Sequence, residues 1–181
     1  MRQGSIALAS LAVALAFCAP AHAEQSLPEL MAELADPEAQ DVAGIENEII
    51  RRWSQSGSPA MDLLVRRGQD AIESSDFAGA VEHFTAAIDH APDFAEAYNG
   101  RATAYFLQEE YGLALEDVEA VLALNEQHFG ALAGLGFIME RLGEEALAWR
   151  AFRMAQALNP HQDAVNDAIL RLDPVARGTE L

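Results

Sequence analysis

The feature that most restricts this chain is a match with itself. Shifted by 34 residues, Gly68 falls on Ala102 and Gly136, Ala80 on Ala114 and Ala148, and Phe84 on Val118 and Phe152. Ala87, Val121 and Ala155 share a fourth position, Leu64, Tyr98 and Leu132 an earlier one, and Ala71, Tyr105 and Met139 another. Pro92 and Pro160 align with Glu126 between them. A fixed period in this range marks stacked supersecondary units, none of which buries its apolar face without a neighbour.

The units are helical. Apolar residues recur three and four apart, nothing alternates with period two, and alanine, leucine and glutamate dominate. Asp36-Pro37 and Ser58-Pro59 place a capping side chain before a proline suited to a first helical turn, and Asp76 is a third cap. Gly143 and Asn159-Pro160 are stop signals. The pattern predicts helices near 27–34, 37–55, 59–73, 77–90, 93–107, 111–124, 127–141, 144–158 and 161–172, with 173–181 as a frayed tail.

The segment Ala78-Gly79-Ala80 sits inside one of these helices, where glycine costs about 1 kcal/mol relative to alanine. Close helix contact offsets such a cost. Small residues on the first helix of each unit (Gly68, Ala102, Gly136) are therefore expected against the alanines of the second (Ala80, Ala114, Ala148), with Phe84 and its counterparts filling the space beside them.

These positions resemble the tetratricopeptide repeat, whose units carry small, alanine, aromatic, alanine and proline residues in this order. The resemblance covers about 61–162, as units near 61–94, 95–128 and 129–162. It implies an all-α fold, a right-handed α-α superhelix, with a solvating helix after 162. Arg67 and Arg101 depart from it by standing where the family usually has leucine, and Val121 and Glu126 make the second unit the weakest match. The block 24–58 does not fit the register. It is amphipathic through Leu30, Leu34, Val42, Ile45, Ile49, Ile50 and Trp53, and is expected to form a helical hairpin covering the exposed edge of the first unit.

Residues 1–23 read as a secretory signal peptide: Arg2, an apolar run from Ile6 to Phe17, and the small-x-small site Ala21-His22-Ala23. The expected location is the bacterial periplasm, or alternatively outside the cell, with no stable membrane insertion after cleavage. Removal of this segment takes away Cys18, the single cysteine, so no disulfide is expected. The whole chain carries 11 basic and 29 acidic residues, every basic one an arginine, for a formal charge of −18. Such a balance opposes binding to nucleic acid or an anionic membrane, and the lack of lysine excludes lysine-based catalysis.

No reactive set stands out. His83 and His90 lie seven apart, without a His-Glu-x-x-His motif or a cysteine cluster, and read as surface residues in preference to a metal site. No cofactor, metal or catalytic residue is expected. The resemblance instead implies a non-enzymatic scaffold that binds a segment of an exported or envelope protein in the groove lined by the first helices. Carried over by position, the groove comprises Asp62, Val65, Gln69 and Ile72; Glu96, Asn99, Thr103 and Phe106; and Ala133, Phe137 and Glu140. The family's carboxylate-gripping mode needs cations at positions that here hold Val65, Gln69, Asn99, Thr103, Ala133 and Phe137, and only Asn99 fits it. Asp62 and Glu96 beside Phe106 and Phe137 suggest a basic and apolar partner segment. The competing readings are self-association through the hairpin, and a secreted enzyme or metal-binding protein using His83 and His90.

Overall fold

The computed structural model describes residues 25–178, so the signal-peptide reading lies outside the described residues. Among these, nine helices and no strands are present: α1 Leu27–Leu34, α2 Val42–Trp53, α3 Pro59–Glu73, α4 Phe77–His90, α5 Ala95–Leu107, α6 Tyr111–Leu124, α7 Phe129–Arg141, α8 Glu145–Leu158 and α9 Asp163–Gly178. Helices α3/α4, α5/α6 and α7/α8 pair within units, and α4/α5, α6/α7 and α8/α9 pack between them. The fold is an all-α repeat superhelix.

The period is written into the turns as well as the core. Ser75, Glu109 and Gly143, each 34 residues apart, all take the left-handed conformation, with φ of 62°, 62° and 80°. After each, the N–H of Asp76, Glu110 or Glu144 bonds the carbonyl of Ala71, Tyr105 or Met139 at 2.8–2.9 Å, closing the preceding helix. Only the third unit uses the residue type that takes this conformation without strain.

The glycines serve aromatic rings and caps. Ala80, Ala114 and Ala148 are fully buried, as their register requires. The atoms nearest a Cβ built on Gly68 or Gly136, however, belong to the rings of Phe84 (2.6 Å) and Phe152 (2.5 Å), not to the expected alanines. Each glycine makes room for a phenyl ring lying flat on its helix. Gly79, the puzzle within Ala78-Gly79-Ala80, has a different reason. Its N–H donates to Asp76 Oδ1 at 3.0 Å, and a Cβ there would stand 2.3 Å from the capping carboxylate.

Three expectations are corrected. Asp36-Pro37 does not open a helix: Asp36 Oδ1 accepts the Glu38 N–H at 2.9 Å in a turn, and α2 starts at Val42 after a left-handed Asp41. The turn reverses the chain so that α1 and α2 face each other. The tail is not frayed from residue 173, since α9 continues to Gly178. Finally, the hairpin does not cover the first unit. Leu30, Met31, Leu34, Ile45 and Ile49 form one buried cluster with Phe129, against which Leu158 packs. Asn159 Nδ2 donates to Glu46 Oε1 at 3.2 Å, and His161 Nε2 meets the Asp36 carbonyl at 3.0 Å. The third unit supplies the apolar partner because Phe129 and Leu158 project there, whereas α3 carries Arg66, Arg67 and Asp70 as exposed residues.

Candidate partner-binding groove

The first helices of units two and three supply a continuous recess. A pocket of about 280 Å³ is lined by Asn99, Ala102, Thr103 and Phe106 of α5, Gly130, Ala133, Gly134, Phe137 and Ile138 of α7, Val118 and Gln162. Beyond Phe106 and Phe137 lies a second, more open recess of about 620 Å³ bounded by Glu140, Arg141 and Arg171. On α7 the small residues Gly130, Ala133 and Gly134 are followed by Phe137 on the same face, so that face carries a hollow closed by a ring. Phe137 rests edge-on against Phe152, with centroids 4.9 Å apart, and Phe106 against Tyr111 at 5.6 Å.

The groove residues expected from the sequence divide accordingly. Asn99, Thr103, Phe106 and Phe137 converge on the first pocket with Ala133, and Phe106, Phe137 and Glu140 border the second. The Thr103 hydroxyl donates to the Asn99 carbonyl at 3.0 Å, and Glu140 pairs with Arg171. Gln69 is exposed on α3, while Ile72 packs against the core of the first unit. Val65 is a correction: it is buried in the cluster holding Ala80 and Phe84 and offers no surface to a partner.

Glu96 and Asp62 are corrections of another kind, because both carboxylates are engaged internally. Asp62 Oδ1 accepts from Ser56 N–H (2.9 Å) and Oγ (2.6 Å), and these bonds, the hydroxyl's above all, lower its pKa. Glu96 is 8% exposed, and its Oε1 lies 2.8 Å from His128 Nε2. His128 Nδ1 accepts the Ala131 N–H at 3.0 Å, so the neutral ring carries its hydrogen on Nε2 and donates it to Glu96. Trp53 stacks on the same imidazole at 4.6 Å, joining the hairpin to the array. A cleft of about 340 Å³ opens beside this junction, between Leu27, Trp53, Gln55, Ser56 and Asp93, Phe94, Glu96, Asn125. The only sequence signal for His128 was its place just before an apolar helix start, where a ring nitrogen serves as a cap.

The family departure at Arg101 has a structural reason. Its Nε and Nη2 donate to the two oxygens of Asp117 at 2.8 and 2.7 Å, and Nη1 donates to Thr85 Oγ1 at 3.0 Å. One side chain thereby ties α5 to both α6 and α4. Hydrogen bonding to Asp117 raises the Arg101 pKa further, with Tyr98 and Tyr105 flanking the guanidinium at 5.7 and 6.0 Å. Among the described residues, no group of three or more His, Cys, Asp or Glu is placed to hold a metal, and no helix is long and apolar enough to cross a membrane.

Helical pairs at a 34-residue period, glycine-seated rings and a groove along the first helices define an α-solenoid of tandem helical hairpins. Sequence likeness gives the family, although no family model matches. The chain is 36% identical over 133 residues to a TPR repeat-containing protein of Rhizobium etli, covering 71% of this chain and 65% of that protein. It is 36% identical over 118 residues to tetratricopeptide repeat protein 36 of Bos taurus, covering 62% and 61%. It thus spans less than two thirds of the length of either relative. Similar folds include the Arabidopsis OM64 TPR domain, with a TM-score of 0.62, 24% identity, and coverage of 64% of this chain and 95% of that one. The first TPR of Spaghetti (RPAP3), solved bound to an HSP90 peptide, has a TM-score of 0.63 at 19% identity, with coverage of 65% and 94%. The chain is a tetratricopeptide-repeat protein.

Proposed function

We propose that this protein is a non-enzymatic adaptor that holds a segment of a partner protein in the groove of units two and three. The observation that carries the reading is the convergence of Asn99, Thr103, Phe106 and Phe137 on one apolar pocket open to solvent. Domains of similar fold solved with partners support it, among them the first TPR of RPAP3 with an HSP90 peptide and the TPR2B domain of yeast Sti1 in complex with pHsp70. The signal-like residues 1–23 support a periplasmic site of action and therefore an exported or envelope partner.

The basic preference inferred for the partner loses its support, because Asp62 and Glu96 are both engaged within the chain. Self-association through the hairpin is also less supported, since the hairpin buries its apolar face against its own third unit. Crosslinking of the protein in intact cells, with isolation from periplasmic and cytoplasmic fractions, tests the proposal. The expected result is a specific periplasmic adduct lost with Asn99→Ala and Phe106→Ala; adducts indifferent to both substitutions would overturn the groove reading.

A further inference from the structure

The pocket between units two and three has a template inside the same protein. In unit one, the fully buried ring of Phe84 is seated between two glycines: a Cβ on Gly68 would stand 2.6 Å from it, and one on Gly100 only 2.3 Å. Thirty-four residues on, the same three positions are Ala102, Val118 and Gly134, and all three line the 280 Å³ pocket. A Cβ on Gly134 would lie 4.0 Å from the Val118 methyl and touch nothing else. The α7 side of that seat is repeated at Gly134; on α5 the methyl of Ala102 replaces the bare Gly68, and the chain's own side chain between them is short by a ring. A dry apolar cavity of about 150 Å³ is enough to bind benzene, so this one has room for a ring and its attachment.

Two polar groups restrict what fills it. Gln162 lines the pocket, and its Nε2 is buried without a hydrogen-bond partner, which calls for an acceptor. Arg141 lies over the outer side of Phe106, 5.9 Å from the ring centroid, with no carboxylate paired to it among the described residues. The neighbouring Arg171 is neutralised by Glu140. The charged residues bounding the groove thus leave one cation uncompensated, although the chain as a whole is strongly acidic.

We propose that this pocket receives one aromatic side chain of the partner segment, with a carboxylate of that segment set against Arg141. The inference rests on the adaptor reading and specifies the partner's chemistry. The carbonyl next to the aromatic residue accepts from Gln162. The side chain completes, from another molecule, the packing that Phe84 completes from within.

N-acetylphenylalanine, its neutral amide and N-acetylalanine are the probes, titrated into the isotopically labelled chain and followed by NMR. Saturable shifts at the Val118 methyls and the Gly130 and Gly134 amides are expected with N-acetylphenylalanine. The amide should bind about two- to fivefold more weakly, the size of an exposed ion pair. Val118→Phe, combined with Ala102→Gly to reproduce the seat of Phe84, supplies the ring internally and should weaken binding about tenfold or more. Gly134→Leu blocks the pocket from α7 and makes the same test should that double variant fail to fold. Equal binding of N-acetylalanine, no saturable shift, or binding indifferent to both variants would overturn the pocket; equal binding of the amide would remove the carboxylate. The adaptor reading is judged separately. A crosslinked partner retained by the double variant and by Gly134→Leu but lost with Asn99→Ala leaves the adaptor standing without this pocket.

Discussion

Units one and two occupy the same register and solve the same packing problem in opposite ways. Unit one is dry at its centre: Phe84 fills the space between Gly68 and Gly100, and Arg67 stays in solvent. Unit two has a smaller apolar centre, with Ala102 and Val118 in one buried cluster, and a polar staple in which Arg101 holds Asp117 and Thr85. The lesson is that volume and polarity are exchanged in sets. A glycine goes with a ring and an alanine with a valine; an arginine is drawn inward only where a buried carboxylate meets it.

The largest way to break this comparison is at the staple. Arg101→Leu leaves Asp117, 4% exposed, buried without its partner, and should cost about 3–5 kcal/mol in chemical denaturation. The third unit shows the apolar alternative, with Leu135 and Ala151 at the same two positions. Arg101→Leu combined with Asp117→Ala should therefore recover most of the loss; a double variant no better than the single one would refute the exchange.

The next effect belongs to the ring. Phe84→Val alone should cost about 2–3 kcal/mol through the cavity it leaves. Gly68→Ala alone should cost about 1–3 kcal/mol by overpacking, because its Cβ meets a ring fixed on all sides. Together they reproduce the Ala102–Val118 combination and should cost less than their sum, which a double-mutant cycle measures directly. Gly134→Ala meets only the Val118 methyl at ordinary van der Waals distance and should stabilise by up to about 1 kcal/mol, whereas Gly100→Ala should destabilise. The smallest effect lies in the turns. Glu109 and Ser75 hold the conformation that Gly143 adopts freely, so Glu109→Gly should raise stability by about 0.5–1 kcal/mol, read as a small rise in thermal midpoint.

Much of the fold was legible because its determinants are local and repeated. Helices α1, α3, α4 and α6 keep the ranges read from the sequence, and α3 and α4 start where the proline after Ser58 and Asp76 with Gly79 act within one turn. The burial of Ala80, Ala114 and Ala148 could be read from their common phase. The groove was legible in part. Asn99, Thr103, Phe106 and Phe137 come together because the register places them on successive first helices. Val65 stands in register with Asn99, and Glu96 with Gly130, yet both are claimed by neighbours that no register names.

By itself, then, the sequence determined the period, the helices and the family, since these depend on residues a few positions apart and on one rule applied three times. Tertiary structure alone decided where the hairpin lies, through Glu46 with Asn159 and Asp36 with His161, contacts between residues more than a hundred positions apart. It alone joined Glu96 to His128 and Arg101 to Asp117, and left a ring-sized hollow beside Val118. The physical reason is common to all of these. A side chain's partner is set by which surfaces remain uncovered once the helices have packed, and that remainder is a property of the assembled array.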